Sequence, residues 1–221
     1  MVLPIANPML LGGKRPLGTL SYVSHVFGEG VSSVTGPASI QAGDLLIGLQ
    51  IGSSAAAAYG TGFTGLATAT GSRTVGKTTY FSRAIVSYKI ADGSEASASL
   101  GGWKTGTTNV MVAVYRATGT ITECVVGSLT NYGSNIGTKT TNAATDIEAN
   151  ESSVVISLHA MVNQNGLNYS YSPTAVDAQG NDGGGTYRGT LLCGPVRTDT
   201  TITETDGDNA TIAYFGYLTV R

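Results

Sequence analysis

Residues Gly71 to Thr78, within the stretch GSRTVGKTTY, match the phosphate-loop pattern G-x-x-x-x-G-K-[ST] at every position. In a working loop of that kind a buried parallel strand runs in and a helix runs out. The helix N-terminus then supplies backbone N–H groups, the Lys reaches the outer phosphates and the Ser/Thr holds Mg²⁺. Neither flank fits. GFTGLATAT precedes the motif and is small and polar rather than a Val/Ile/Leu run. TTYFSRAIVSYKI follows it and alternates β-branched and aromatic residues, which is a strand pattern. The match is therefore expected to be a Gly-containing connection between strands.

The other residues that could carry chemistry are few. His25 and His159 both fall inside strand-like runs and are expected to be structural. No G-x-S-x-G elbow and no H-E-x-x-H motif occurs. Cys124 and Cys193, each in an apolar stretch, are too few for a zinc site or a disulfide scaffold. They read as two buried thiols, with a disulfide as the alternative. Acids gather at Asp199, Glu204, Asp206 and Asp208, and again at Asp177 and Asp182 beside Asn181. Their spacing does not make a calcium loop, and solvated turns are expected. Trp103, the single Trp, stands in a loop with Gly on its N-terminal side. It is a core-edge cap or, with Tyr132, Tyr169 and Tyr171, an aromatic platform for a sugar. No catalytic residue, metal or cofactor is expected.

Those residues must sit on extended chain. Only 12% of the 221 residues are charged, Gly numbers 31, and helical periodicity is almost absent. Short runs rich in Val, Ile, Thr and Tyr, bounded by Gly, Asn, Asp or Pro, predict strands. They are 21–27, 44–51, 78–90, 109–117, 121–128, 152–162, 186–193, 200–205 and 210–220, with weaker pieces at 63–70 and 95–100. ADGS at 91–94 predicts a turn, ATGT at 117–120 a hairpin between 109–117 and 121–128, and GNDGGG at 180–185 a loop tip. The sequence shows no exact internal repeat, which argues against solenoids and propellers. The fold expected is all-β: an antiparallel β-sandwich of jelly-roll type over 21–221, preceded by an extended arm over 1–20.

The arm carries Pro4, Pro8 and Pro16, which break regular structure. Leu3, Ile5, Met9, Leu10 and Leu11 still want burial, with Lys14 and Arg15 following. It is either a lid over its own domain or a tether into a neighbouring subunit. It makes a poor signal peptide, because no positive charge precedes its apolar stretch. Net charge is −2 and basic residues are scattered, so neither nucleic acid nor a membrane is an expected partner.

Five segments in order carry a resemblance: IQAGDLLIGLQIG, GFTGL, YFSRAIVSYKIADGSE, VMVAVYRATG and ESSVVISLHAM. Over roughly Ile40 to Met161 the chain resembles a recurrent β-rich module of tailed-bacteriophage structural proteins. It departs from that pattern at Gly62-Phe63-Thr64, where Trp is commoner, and at Ala117, where Gly would follow Arg116. The resemblance implies a non-enzymatic virion component (a capsid decoration, collar, tail or fibre protein) assembled in the host cytoplasm. The partners it implies are other virion subunits and further copies of the chain. A carbohydrate-binding adhesin that recognises a glycan receptor is the alternative.

Overall fold

The computed structural model describes residues 19–53, 58–75, 77–104, 108–133, 138–141, 152–162, 169–172, 178–181, 187–196, 200–204 and 211–221. Residues 1–18 of the arm expected over 1–20 lie outside them, as do Asp177, Asp182, Asp199, Asp206 and Asp208, while Leu20 already begins the first strand. From Val126 onward side chains are described only for Val154 and Leu218–Arg221.

Along the chain the strands are β1 (Leu20–Glu29), β2 (Ser33–Thr35), β3 (Leu45–Ser53), β4 (Thr64–Val75) and β5 (Thr78–Ile90). Next come β6 (Ser99–Gly101), β7 (Thr108–Ala117), β8 (Cys124–Gly133), β9 (Thr138–Thr141) and β10 (Ser152–Val162). The rest are β11 (Tyr169–Ser172), β12 (Ala178–Asn181), β13 (Tyr187–Val196), β14 (Thr200–Glu204) and β15 (Thr211–Val220). Among the described residues no helix occurs and every pairing is antiparallel. The all-β class expected from the sequence is present.

Two five-stranded sheets form the body, ordered β1-β7-β3-β5-β4 and β12-β13-β10-β15-β8. Smaller sheets, β2-β6 and β11-β14-β9, complete the set. The five-stranded sheets meet across one apolar core. Leu45, Ile47, Leu49, Ile51, Ala84, Val86, Met111, Ala113 and Tyr115 enter it from the first sheet; Cys124, Val154, Leu218 and Val220 enter it from the second. Each large aliphatic side chain removed from water there contributes about 1.5–3 kcal/mol.

The first sheet is apolar on its other face too. Leu46, Val110, Val112 and Val114 point outward and pack with Val34, Ile40, Leu100 and Trp103 beneath the β2-β6 ribbon. This double burial explains why β7 reads as the near-continuous apolar run NVMVAVY. Alternate residues are then apolar for two different cores.

ATGT at 117–120 is a correction. It was expected to close a hairpin, but β7 lies in the first five-stranded sheet and β8 in the second. The chain instead changes layer there. The turn chemistry was compatible with both outcomes, and the burial of β8 against the inner face decided between them. β9, β11, β12 and β2 are short strands that the sequence reading did not separate from loops. All the strands of the first sheet and of β2-β6 come from residues 20–117, and all those of the other two sheets from 124–220.

Candidate functional site

The phosphate-loop match resolves into a hairpin. Val75 lies opposite Thr78, Thr74 opposite Thr79 and Arg73 opposite Tyr80, so β4 and β5 pair straight through the motif. Thr74 and Thr79 also share a side-chain hydrogen bond of 2.9 Å. Lys77 is exposed in the turn. Among the described residues no helix N-terminus and no parallel strand stands beside it, and Arg73–Val75 pair with Thr78–Tyr80 in an antiparallel ladder instead of opening a phosphate cradle.

The most organised polar constellation of the described residues lies at the first sheet's outer rim. Asp44, only 1% exposed, closes the turn into β3 by accepting the Gln41 N–H at 2.8 Å. Arg116, at the end of β7, donates Nε to Asp44 Oδ1 at 2.7 Å and Nη2 to Oδ2 at 2.7 Å. Its Nη2 also donates to the Ser39 carbonyl at 2.9 Å. This two-point carboxylate contact holds the guanidinium above its usual range, chiefly through the hydrogen bonds to Asp44. The pair ties two distant segments of one sheet together. Gln41, Asp44 and Arg116 all belong to the resemblance segments.

A second carboxylate organises the ADGSE turn. Glu95 Oε2 accepts the N–H groups of Asp92 (3.2 Å) and Gly93 (3.1 Å), while Oε1 lies 2.6 Å from Lys89 Nζ. Asp92 Oδ1 accepts the Ser94 N–H at 2.8 Å, and hydrogen bonding to Ser94 holds the Asp92 carboxyl below its ordinary value. Gly93 has φ +97°, a left-handed conformation that L side chains rarely adopt.

Trp103 is 3% exposed and packs obliquely on Phe63, with ring centroids 5.1 Å apart. Gly48 and Gly60 press against the indole: a Cβ at either would come within 2.6 Å of a ring carbon. Gln50 Nε2 donates to the Lys104 carbonyl at 3.1 Å, and its Oε1 accepts the Ala58 N–H at 3.0 Å, fastening the segments on both sides. The buried indole Nε1 has no hydrogen-bond partner among the described residues. Buried in this way, Trp103 caps a core and offers no face for sugar stacking. Tyr132 lies on β8, and Tyr169 and Tyr171 lie on β11 opposite Glu204 and Ile202. Their side chains lie outside the described residues, and their backbones belong to different sheets.

His25 Nδ1 is 2.6 Å from the Tyr22 hydroxyl, a satisfied structural histidine. His159 sits on β10 between Thr190 and Ala213. Cys124 is a free thiol that burial, seconded by Glu123, pushes up to about 12. Cys193 is on β13, with β10 and β15 intervening. Three strand spacings hold the two backbones roughly 14 Å apart, beyond the ~7 Å reach of a disulfide. Among the described residues no three His, Cys, Asp or Glu side chains cluster to hold a metal. No helix of the described residues is long and apolar enough to cross a membrane.

The Asp44–Arg116 clamp was not foreseen from sequence. Its one signal was an acid just before a buried strand and an arginine at the end of another. Comparison with protein-family models, with curated proteins and with solved structures found no match.

Proposed function

We propose that the chain is a non-enzymatic structural component of a bacteriophage virion (capsid decoration, collar, tail or fibre) that acts by assembling with other virion subunits. The observation that carries this reading is the use to which the resemblance segments are put. Asp44 of GDLLIG clamps Arg116 of VYRA, Glu95 of ADGSE gathers its own turn, and Phe63 of GFTGL packs on Trp103. The recurring residues are thus consumed in holding a rigid β-framework, which is what an assembly protein requires of them. The arm, with Leu3, Ile5, Met9, Leu10, Leu11, Lys14 and Arg15, is proposed to dock on a neighbouring subunit.

The jelly-roll winding expected from the sequence passes the chain back and forth between layers. With each layer drawn from one half of the chain, we infer a sandwich of two half-chain sheets instead.

The test is quantitative mass spectrometry on purified phage particles whose genome encodes the chain. A fixed copy number relative to the major capsid protein is the expected result. A number close to that protein's indicates a shell decoration, and a far smaller one a collar, tail or fibre position. Absence from the particles overturns the reading.

A further inference from the structure

The first five-stranded sheet runs β1-β7-β3-β5-β4; read from its other edge, the second runs β8-β15-β10-β13-β12. Leave out β11 and number the strands from the start of each half of the chain. Both sheets then have the order first, seventh, third, fifth, fourth. The small sheets obey the same rule: second pairs with sixth, as β2 with β6 and β9 with β14. β11 is an addition on the free edge of β14.

The registers agree residue by residue. Leu45 faces Tyr115 across β3 and β7, and Ser152 faces Val220 across β10 and β15. Setting Leu45 on Ser152 therefore sets Tyr115 on Val220, and Arg116 on Arg221. The first strands then coincide: Ser21 stands opposite Arg116, and Glu123 exchanges both backbone hydrogen bonds with Arg221. Each first strand also has a register shift in its first half against the seventh, two residues farther along in β8 than in β1, and β8 has a second one at its far end. Within the shared core, Ile47 falls on Val154.

The sequence ahead of the third strand keeps a trace. Ile40-Gln-Ala-Gly-Asp44 aligns without a gap on Ile147-Glu-Ala-Asn-Glu151. Ile and Ala are identical, and an acid ends both. Gly43 has φ +90°, and the residue in its place is Asn, one of the few L residues that enter that region readily.

Much of the packing is reciprocal too, although β13 against β7 and β15 against β4 have no such counterpart. β4 lies against β8 and β1 against β12, so the fourth strand of each half meets the first of the other. β3 meets its own counterpart β10, while β13 meets β3 and β10 meets β5. Self-complementary contact of this kind marks a two-fold interface.

We propose that the chain is a fused dimer: two copies of one seven-stranded unit, packed about a pseudo-two-fold axis. The inner face of each five-stranded sheet is then a self-association surface whose partner is a second copy of the same unit. A unit alone would leave Leu45, Ile47, Leu49, Ile51 and Met111 facing water, a patch that soluble monomers avoid. Covalent linkage makes the pairing intramolecular, so it persists at any dilution. This inference does not rest on the virion reading.

The full chain tests it through reciprocal distances. Thr68 on β4 is equivalent to Gln179 on β12, because Ile85 and Leu192, their opposite residues, are equivalent. Ser21 is equivalent to Glu123. Spin labels are attached through an introduced keto amino acid, which leaves both cysteines untouched, at Thr68 with Glu123 and, separately, at Gln179 with Ser21. A two-fold axis makes the two mean distances coincide in pulsed electron–electron resonance. A difference greater than one strand spacing, about 4.8 Å, overturns the proposal. As a second variant, a circular permutant begins at residue 119 and uses residues 1–18 to join Arg221 to Thr19. It is expected to fold with one cooperative transition, because the axis places this junction like the native link between β7 and β8. Loss of that transition overturns the proposal.

Discussion

The Asp44 carboxylate and the Arg116 guanidinium, 72 residues apart in the chain, meet side-on through two hydrogen bonds of 2.7 Å. One end of the contact is almost fully buried and the other reaches the rim. Removing the acid strands an arginine that also holds the Ser39 carbonyl, and it frees the Gln41 N–H. Because the arginine left behind reaches solvent, Asp44→Ala is expected to lower unfolding free energy by about 1–3 kcal/mol. Arg116→Lys should not restore the clamp, since an ammonium cannot make the two-point contact. Urea denaturation of the three proteins checks both statements.

Cys124 supplies a pH dependence. Its thiol rises from 9.0 to about 12 on folding, mainly through burial. The folded state thus favours the protonated thiol. Its stability is intact below pH 9 and declines as pH rises toward 12, where folded thiol begins to ionise. The full effect is on the order of 4 kcal/mol. Urea midpoints of wild type and Cys124→Ala, compared across pH 8 to 11, should diverge in slope, with the variant flatter. Native protein should also leave Cys124 unmodified by thiol reagents at neutral pH.

Trp103 is expected to act on stability. Trp103→Ala should cost about 3–5 kcal/mol, the usual range for emptying a core site of that size. Gly60→Ala should cost about 1–3 kcal/mol, because the new methyl runs into the indole. Thermal unfolding measures both. If Trp103→Ala melted like wild type and lost binding on a glycan array, the core-cap assignment would be wrong.

The hairpin at the phosphate-loop motif gives a sharp expectation. Lys77→Ala should melt at the wild-type temperature, since its side chain lies in an exposed turn. Titration with Mg-ATP should release no heat with either protein. Saturable binding abolished by the substitution would contradict the ladder seen from Arg73 to Tyr80.

Much of the β-structure was legible in the chain. Residues 78–90 and 152–162 were predicted as strands with the boundaries they have. Local chemistry sufficed there: β-branched and aromatic residues prefer extended backbone, and the flanking turn residues stop it. The 63–70 segment was recognised but continues to Val75, because β5 offers it a partner along that whole length. The short strands β2, β9, β11 and β12 were missed because a few polar residues carry too weak a pattern, and a neighbour's ladder makes them strands.

By itself the sequence determined that this protein is built of β-strands, where most of them run, and that GSRTVGKTTY has no helix to support a phosphate. Only the tertiary structure decided which strand lies beside which. It placed Trp103 inside, brought Asp44 to Arg116, separated Cys124 from Cys193, turned ATGT into a change of layer and made the two halves share one strand order. The reason is physical. A two-residue period says that side chains alternate between faces, but every strand offers the same backbone donors and acceptors to any neighbour. The choice among neighbours is made by long-range burial, and in this chain it was made twice in the same way.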